Sequence, residues 1–142
     1  MSAATVIFLV LAVACWGGGA FFDKLTLNRI GATDAFILRL GLLGLFAVPF
    51  VLWRWHPTRD AVAISGKLPV ILVATSIVVT MSGVYFYLRA MSGAEASRIV
   101  PMSSTYPLVA FLLALIFLGE KFTWAKLAGT VLVCAGVGVL AL

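Results

Sequence analysis

The chain has 142 residues, 63% of them hydrophobic and 11% charged, with a formal net charge of +5. A soluble domain of this size cannot hide so much apolar surface, and a mean hydropathy of +1.18 points to a polytopic membrane protein. The basic balance does not indicate nucleic acid, because the ten Lys and Arg residues are spread over every predicted loop with no aromatic-rich basic face.

A helix needs about 20 apolar residues to cross roughly 30 Å of hydrocarbon. The pattern predicts an all-α membrane protein with five transmembrane helices at about 4–22, 34–53, 68–91, 93–118 and 124–142, in a single domain over 1–142. The longest predicted connection is Arg54 to Lys67, and an odd span number puts the termini on opposite sides. The first span is not expected to be a signal peptide: nothing basic precedes it, and Gly17-Gly18-Gly19 reads as packing rather than a cleavage site.

Basic residues also set orientation. Arg54, Arg59, Lys67, Lys121 and Lys126 fall on the side of the N-terminus, five in all; Lys24, Arg29, Arg89 and Arg98 make four on the other, or five with Arg39. A near tie is compatible with insertion in both orientations.

In the first span Trp16, Gly19 or Ala20, and Asp23 recur at helical spacing and share one face. Trp16 either lines a cavity or packs as a bulky residue. Asp23 and Lys24 are read as interfacial, since they sit at the edge and lysine can snorkel. Thr33 or Asp34 can cap the second helix. Arg39 lies about 8 Å into it; it either snorkels to the interface or holds a positive charge at a cavity mouth that draws anionic or zwitterionic solutes. Trp53, Trp55 and His56 read as an interface belt.

The third span carries a polar stripe, Ser76, Thr80, Gly83 and Tyr87, at i, i+4, i+7 and i+11. Lipid offers no hydrogen-bond partner, so the stripe should face protein or a wet cavity. Ser92 and Glu95 have capping-box spacing and are expected to start the fourth helix near Gly93.

That helix contains Pro-Met-Ser-Ser-Thr-Tyr-Pro, residues 101–107. Pro101 frees the carbonyl of Ser97, and Pro107 that of Ser103. The hydroxyls of Ser103, Ser104, Thr105 and Tyr106 can satisfy some of these carbonyls or line a cavity. Kinked helices with free backbone groups near mid-depth are where transporters place solute sites, and kinks serve as hinges. Gly83, Pro101 and Pro107 are the predicted hinge residues. Ser104 and Tyr106 join Trp16, Arg39, Ser76, Thr80 and Tyr87 as predicted cavity residues. Gly119 is expected to end the helix in a left-handed cap, with Glu120 stabilising the turn. In the last span Thr130, Cys134 and Gly138, four apart, and Gly129 form small-residue seams for helix or dimer packing.

Cys15 and Cys134 lie within spans without metal or redox spacing. No His/Cys/Asp constellation, metal cluster or nucleophile with a base is evident, so no metal, no cofactor and no enzymatic activity are expected.

The run "YFYLRAMSGAEASRIVPMSSTYPLVAFLLALIFLGEKFTWAKLAGTVLVCAGVGVLAL" resembles the second half of an EamA domain of the drug/metabolite transporter superfamily. The Ala/Ser turn, Pro101, Pro107, "LGEKFTW" and the glycine-rich last helix carry the likeness. "CWGGGAFFDKL" resembles the first span of that family, and Arg39 sits where many members carry an arginine. The resemblance implies a secondary transporter of small metabolites working by alternating access in the prokaryotic cytoplasmic membrane. Most relatives join two inverted domains in ten spans, whereas this sequence resembles the short five-span members and shows no internal repeat. The missing inverted half must then come from a second copy, as a dual-topology antiparallel homodimer, or from a paralogous five-span chain. The related small multidrug resistance proteins place a carboxylate at mid-depth in the first helix; here Asp23, Glu95 and Glu120 all lie near span ends. Neutral, zwitterionic or anionic solutes such as amino acids fit better than cations. The alternative is a non-transporting assembly or lipid-handling subunit.

Overall fold

In hydrocarbon each backbone amide and carbonyl must find its partner within the protein, which leaves the helix as the local solution for an apolar chain of this kind. A computed structural model describes residues 3–140, the side chain of Leu140 excepted. It contains α1 (Ala3–Leu27), α2 (Ala32–Ser65), α3 (Leu68–Ser92), α4 (Ala96–Ser103), α5 (Tyr106–Phe117) and α6 (Trp124–Leu140), with no strand among the described residues. α1, α2, α3 and the stretch Ala96–Phe117, which holds α4 and α5, are each long and apolar enough to cross a membrane. α6 is apolar and 17 residues long, about 25 Å at 1.5 Å per residue. The all-α membrane architecture is as expected.

The chain divides into two compact units. One holds α2, α3 and α1 from Phe22 onward. There α2 and α3 form an antiparallel hairpin closed at Gly66, whose φ of +77° lets the backbone turn sharply. At the opposite end of the hairpin Ala32, Ala35, Leu88 and Met91 are buried, and the Phe36 and Tyr85 rings meet edge to face at 5.4 Å. The other unit holds the first part of α1, to Phe21, and the chain from Gly93 on, in which α4 and α5 each pack against α6.

Several helix limits differ from expectation. α1 runs to Leu27 rather than residue 22, because Asp23 and Lys24 are held by partners and do not end it. α2 continues to Ser65, so the predicted connection from Arg54 is helical for most of its length. Between Trp53 and Gly66 the helix contains no glycine and accommodates Pro57, and its polar residues are compatible with a helix leaving the bilayer. At 34 residues α2 is about 51 Å long, well beyond the hydrocarbon thickness, and Arg54, His56, Arg59 and Asp60 lie past its apolar stretch.

The predicted caps are replaced. Gly31 is the N-cap of α2, with no side-chain bond, so neither Thr33 nor Asp34 caps it; Asp34 still places a negative charge in the first turn. Glu95 occupies the N-cap of α4 without a side-chain bond. The Ser92 hydroxyl instead donates to the Arg89 carbonyl at 2.8 Å, spent on the end of α3, so the capping box does not form.

Gly119 does adopt the left-handed conformation, at φ +62°, after the end of α5. The Glu120 carboxylate accepts from Lys126 Nζ at 3.1 Å, and the Lys126 amide donates to Thr123 Oγ1 at 3.3 Å, capping α6. Gly119→Ala meets no steric neighbour, so its cost is conformational, about 1–2 kcal/mol. Gly136→Ala, also in open space but helical, should leave stability unchanged or slightly raised. Reversible unfolding in mixed micelles checks the pair; equal stabilities would contradict the role given to Gly119.

Candidate functional site

Charges are costly near hydrocarbon unless they are paired. At the end of the first unit where α1, α2 and α3 meet, three charged residues are held by partners. Arg39 Nη1 donates to Asp23 Oδ2 at 3.1 Å, joining α2 to α1. Lys24 Nζ donates to the Met91 carbonyl at 3.0 Å, in the last turn of α3, where helical carbonyls lack amide partners and the helix dipole favours a cation. Tyr87 on α3 lies within electrostatic range of both Asp23 and Arg39. Arg39 therefore neither snorkels alone nor stands as a lone positive charge. The pair is partly open, with 34% of the Arg39 side chain and 20% of the Asp23 side chain exposed. An ion pair so exposed contributes only about 1 kcal/mol or less.

A recess of about 250 Å³ opens beside this pair, lined by Asp23 and Arg39 and by apolar residues that include Leu38, Leu42, Leu43 and Phe46. Leu42, Leu43 and Phe46 follow Arg39 at +3, +4 and +7, so they share its face of α2. They form an open apolar strip running about 10 Å inward from the charge.

The polar stripe of α3 begins at Tyr87 and descends through Gly83 and Thr80 to Ser76. Thr75 and Ser82 turn their hydroxyls back onto the Ile71 and Val78 carbonyls at 2.9 and 2.8 Å. Ser76 and Thr80 are exposed and make no such bond. Their hydroxyls remain available to a solute, to water or to another chain.

Trp16, Ser104 and Tyr106 belong to the other unit. Trp16 is 68% exposed and Tyr106 61%. Between α4 and α5 the helix breaks at Ser104 and Thr105, flanked by the two prolines. The break is a tightened turn rather than an unwound strand: the Ser104 amide donates to Pro101 O at 2.9 Å and the Thr105 amide to Met102 O at 3.3 Å. This shift leaves the Val100 carbonyl without its usual amide, and the Ser103 and Ser104 hydroxyls donate to it at 2.7 and 3.3 Å. Thr105 Oγ1 donates to Met102 O at 3.0 Å. The Ser103 and Ser104 hydroxyls thus satisfy the Val100 carbonyl freed by the tightening, and Thr105 Oγ1 adds to a carbonyl its own amide already meets; neither carbonyl is one of those, Ser97 and Ser103, that the prolines were expected to orphan. On α6 Thr130 and Cys134 are half-buried in line with buried Val137, while Gly129 and Gly138 are exposed. Among the described residues no group of His, Cys, Asp or Glu could hold a metal ion.

The sequence reading overlooked Asp23 as the partner of Arg39 and Lys24 as a clamp on α3. The available signal was the four-residue turn between α1 and α2, which brings an acid before it and a long basic side chain after it to one end of a hairpin.

The EamA-like transporter family model matches residues 3–142. An uncharacterised protein of Methanocaldococcus jannaschii is 23% identical over all of this chain and 98% of its own length. No solved structure matches. With the apolar helices described above, the whole-chain match shows that this integral, multi-pass membrane protein belongs to the EamA-like transporter family of the drug/metabolite transporter superfamily, a family of membrane transporters rather than enzymes.

Proposed function

We propose that the chain is one EamA-type half of a secondary transporter, moving small neutral, zwitterionic or anionic metabolites such as amino acids by alternating access. The observation that carries this reading is the broken fourth span: a tightened turn at Ser104 and Thr105, set between Pro101 and Pro107 near its middle. Two short helices joined by such a turn can change their mutual angle at little cost, which alternating access requires.

A second copy in the opposite orientation supplies the inverted half, and a paralogous five-span chain is the rival partner. Three features support a partner. Few residues of the four long spans are fully buried within the chain. Ser76 and Thr80 present uncommitted hydroxyls from the middle of α3, where lipid alone would leave them unsatisfied. The basic residues are nearly balanced between the two sides, so neither orientation is strongly favoured. The prokaryotic cytoplasmic membrane is the location that the short single-domain form implies. In this assembly Trp16, Ser76, Thr80, Tyr87, Ser104 and Tyr106 face the solute path, Gly83, Pro101 and Pro107 act as hinges, and Gly129 and Gly138 pack against a neighbouring helix.

Solute counterflow in proteoliposomes tests the reading. Pro107→Ala should restore a backbone donor and stiffen the turn, slowing counterflow by about tenfold or more, equivalent to about 1.4 kcal/mol on the conformational barrier, while insertion stays normal. Wild-type rates in that variant would contradict the hinge. Ser76→Val with Thr80→Val should also depress counterflow without loss of folded protein; an unchanged rate would remove the stripe from the path. A purified chain that moves no solute under any gradient, alone or with a partner, would leave the non-transporting subunit as the better reading.

A further inference from the structure

The charged corner described above has a property that neither charge has alone. Asp23 and Arg39 offer one acceptor and one donor group at 3.1 Å, both partly exposed. The recess beside them is small, about 250 Å³ against about 300–1,000 Å³ for drug-sized ligands, and apolar beyond the pair and Thr26. A ligand complementary to it carries an ammonium and a carboxylate on one carbon and a compact apolar body. We propose that the Asp23–Arg39 ion pair is a recognition site for zwitterionic α-amino acids with apolar side chains, which bind by replacing it.

On binding, the solute ammonium donates to the Asp23 carboxylate, and the solute carboxylate accepts from the Arg39 guanidinium. The apolar side chain lies along Leu42, Leu43 and Phe46. One protein–protein ion pair is exchanged for two protein–ligand contacts of the same kind, so no charge is left unpaired. A ligand with one charge satisfies one partner and strands the other, which makes the site selective for zwitterions. The neighbouring Lys24 ammonium donates to the Met91 carbonyl. Replacing the pair also uncouples α2 from α1 at this point, which links occupancy to movement of the helices. The inference rests on the transport reading for the source of the ligand, since a zwitterionic lipid headgroup shares the same charges.

The test uses the full chain in nanodiscs, with radiolabelled L-leucine as the probe and three unlabelled competitors: leucine, leucinamide and 4-methylpentanoate. Leucine should compete, and the singly charged analogues should each compete about tenfold or more weakly. Asp23→Asn and Arg39→Gln should each lose leucine binding by a similar factor, whereas Arg59→Gln, which removes a charge from the exposed Arg59–Asp60 pair, should bind as wild type. Equal competition by either analogue would overturn the site even if the two variants fail to fold. Wild-type binding by folded Asp23→Asn and Arg39→Gln would do the same. Retention of phosphatidylethanolamine by the wild type but not the variants, with no leucine binding, would overturn it in favour of a lipid. Counterflow of neutral solutes by the same preparation separates the two proposals: transport without leucine binding sinks this site and leaves the transporter standing.

Discussion

Hydrocarbon supplies no partner to a backbone amide, a carbonyl or a charge, and the structure can be understood as a set of local answers to that shortage. Within the helices the i→i−4 ladder suffices. Where Pro101 and Pro107 bracket a change to i→i−3 bonding, the Ser103 and Ser104 hydroxyls take over the Val100 carbonyl left behind. At the end of α3, where the ladder runs out, Lys24 reaches across from α1. The same constraint turns the Thr75, Ser82 and Thr130 hydroxyls back onto their own helices. A hydroxyl without such a bond, as at Ser76 and Thr80, therefore implies something beyond lipid on that face.

The constraint also accounts for the cluster where α1, α2 and α3 meet. An arginine at the depth of Arg39 carries an insertion cost that Asp23 reduces by pairing with it. The pair remains partly open and weakly held, unlike a buried ion pair, whose disruption by removing one partner costs about 3–5 kcal/mol. Weak pairing suits a group that would exchange partners with a bound solute, as proposed above. At the helix break the freed Val100 carbonyl is met locally by the Ser103 and Ser104 hydroxyls.

Much of this was legible in the sequence, and the misses have physical causes. The helical class, four of the five expected spans at sufficient length and the left-handed Gly119 follow from apolar length and from glycine's freedom at positive φ. The family resemblance needed the order and spacing of Pro101, Pro107, "LGEKFTW" and Arg39 together. Caps were less readable: Ser92 and Glu95 have the right spacing, but the hydroxyl had a nearer acceptor at the end of α3. The continuation of α2 past Trp53 was hidden because polar composition looks alike in a loop and in a helix outside the membrane. Pairing between Asp23 and Arg39 depends on how two helices meet, which periodicity along either one does not contain. For the same reason the cavity residues were found as stripes, and Arg39 and Tyr87, on different helices, come within electrostatic range of one another in one unit.

The central claim is that one chain supplies only half of a transporter and meets its inverted half in a second copy. The most direct measurement is the location of the C-terminus, with reporters fused after Leu142, one active only inside the cell and one only outside. The account predicts comparable signal from both, since a single gene must place the chain in both orientations. Signal from one side alone would contradict the antiparallel homodimer.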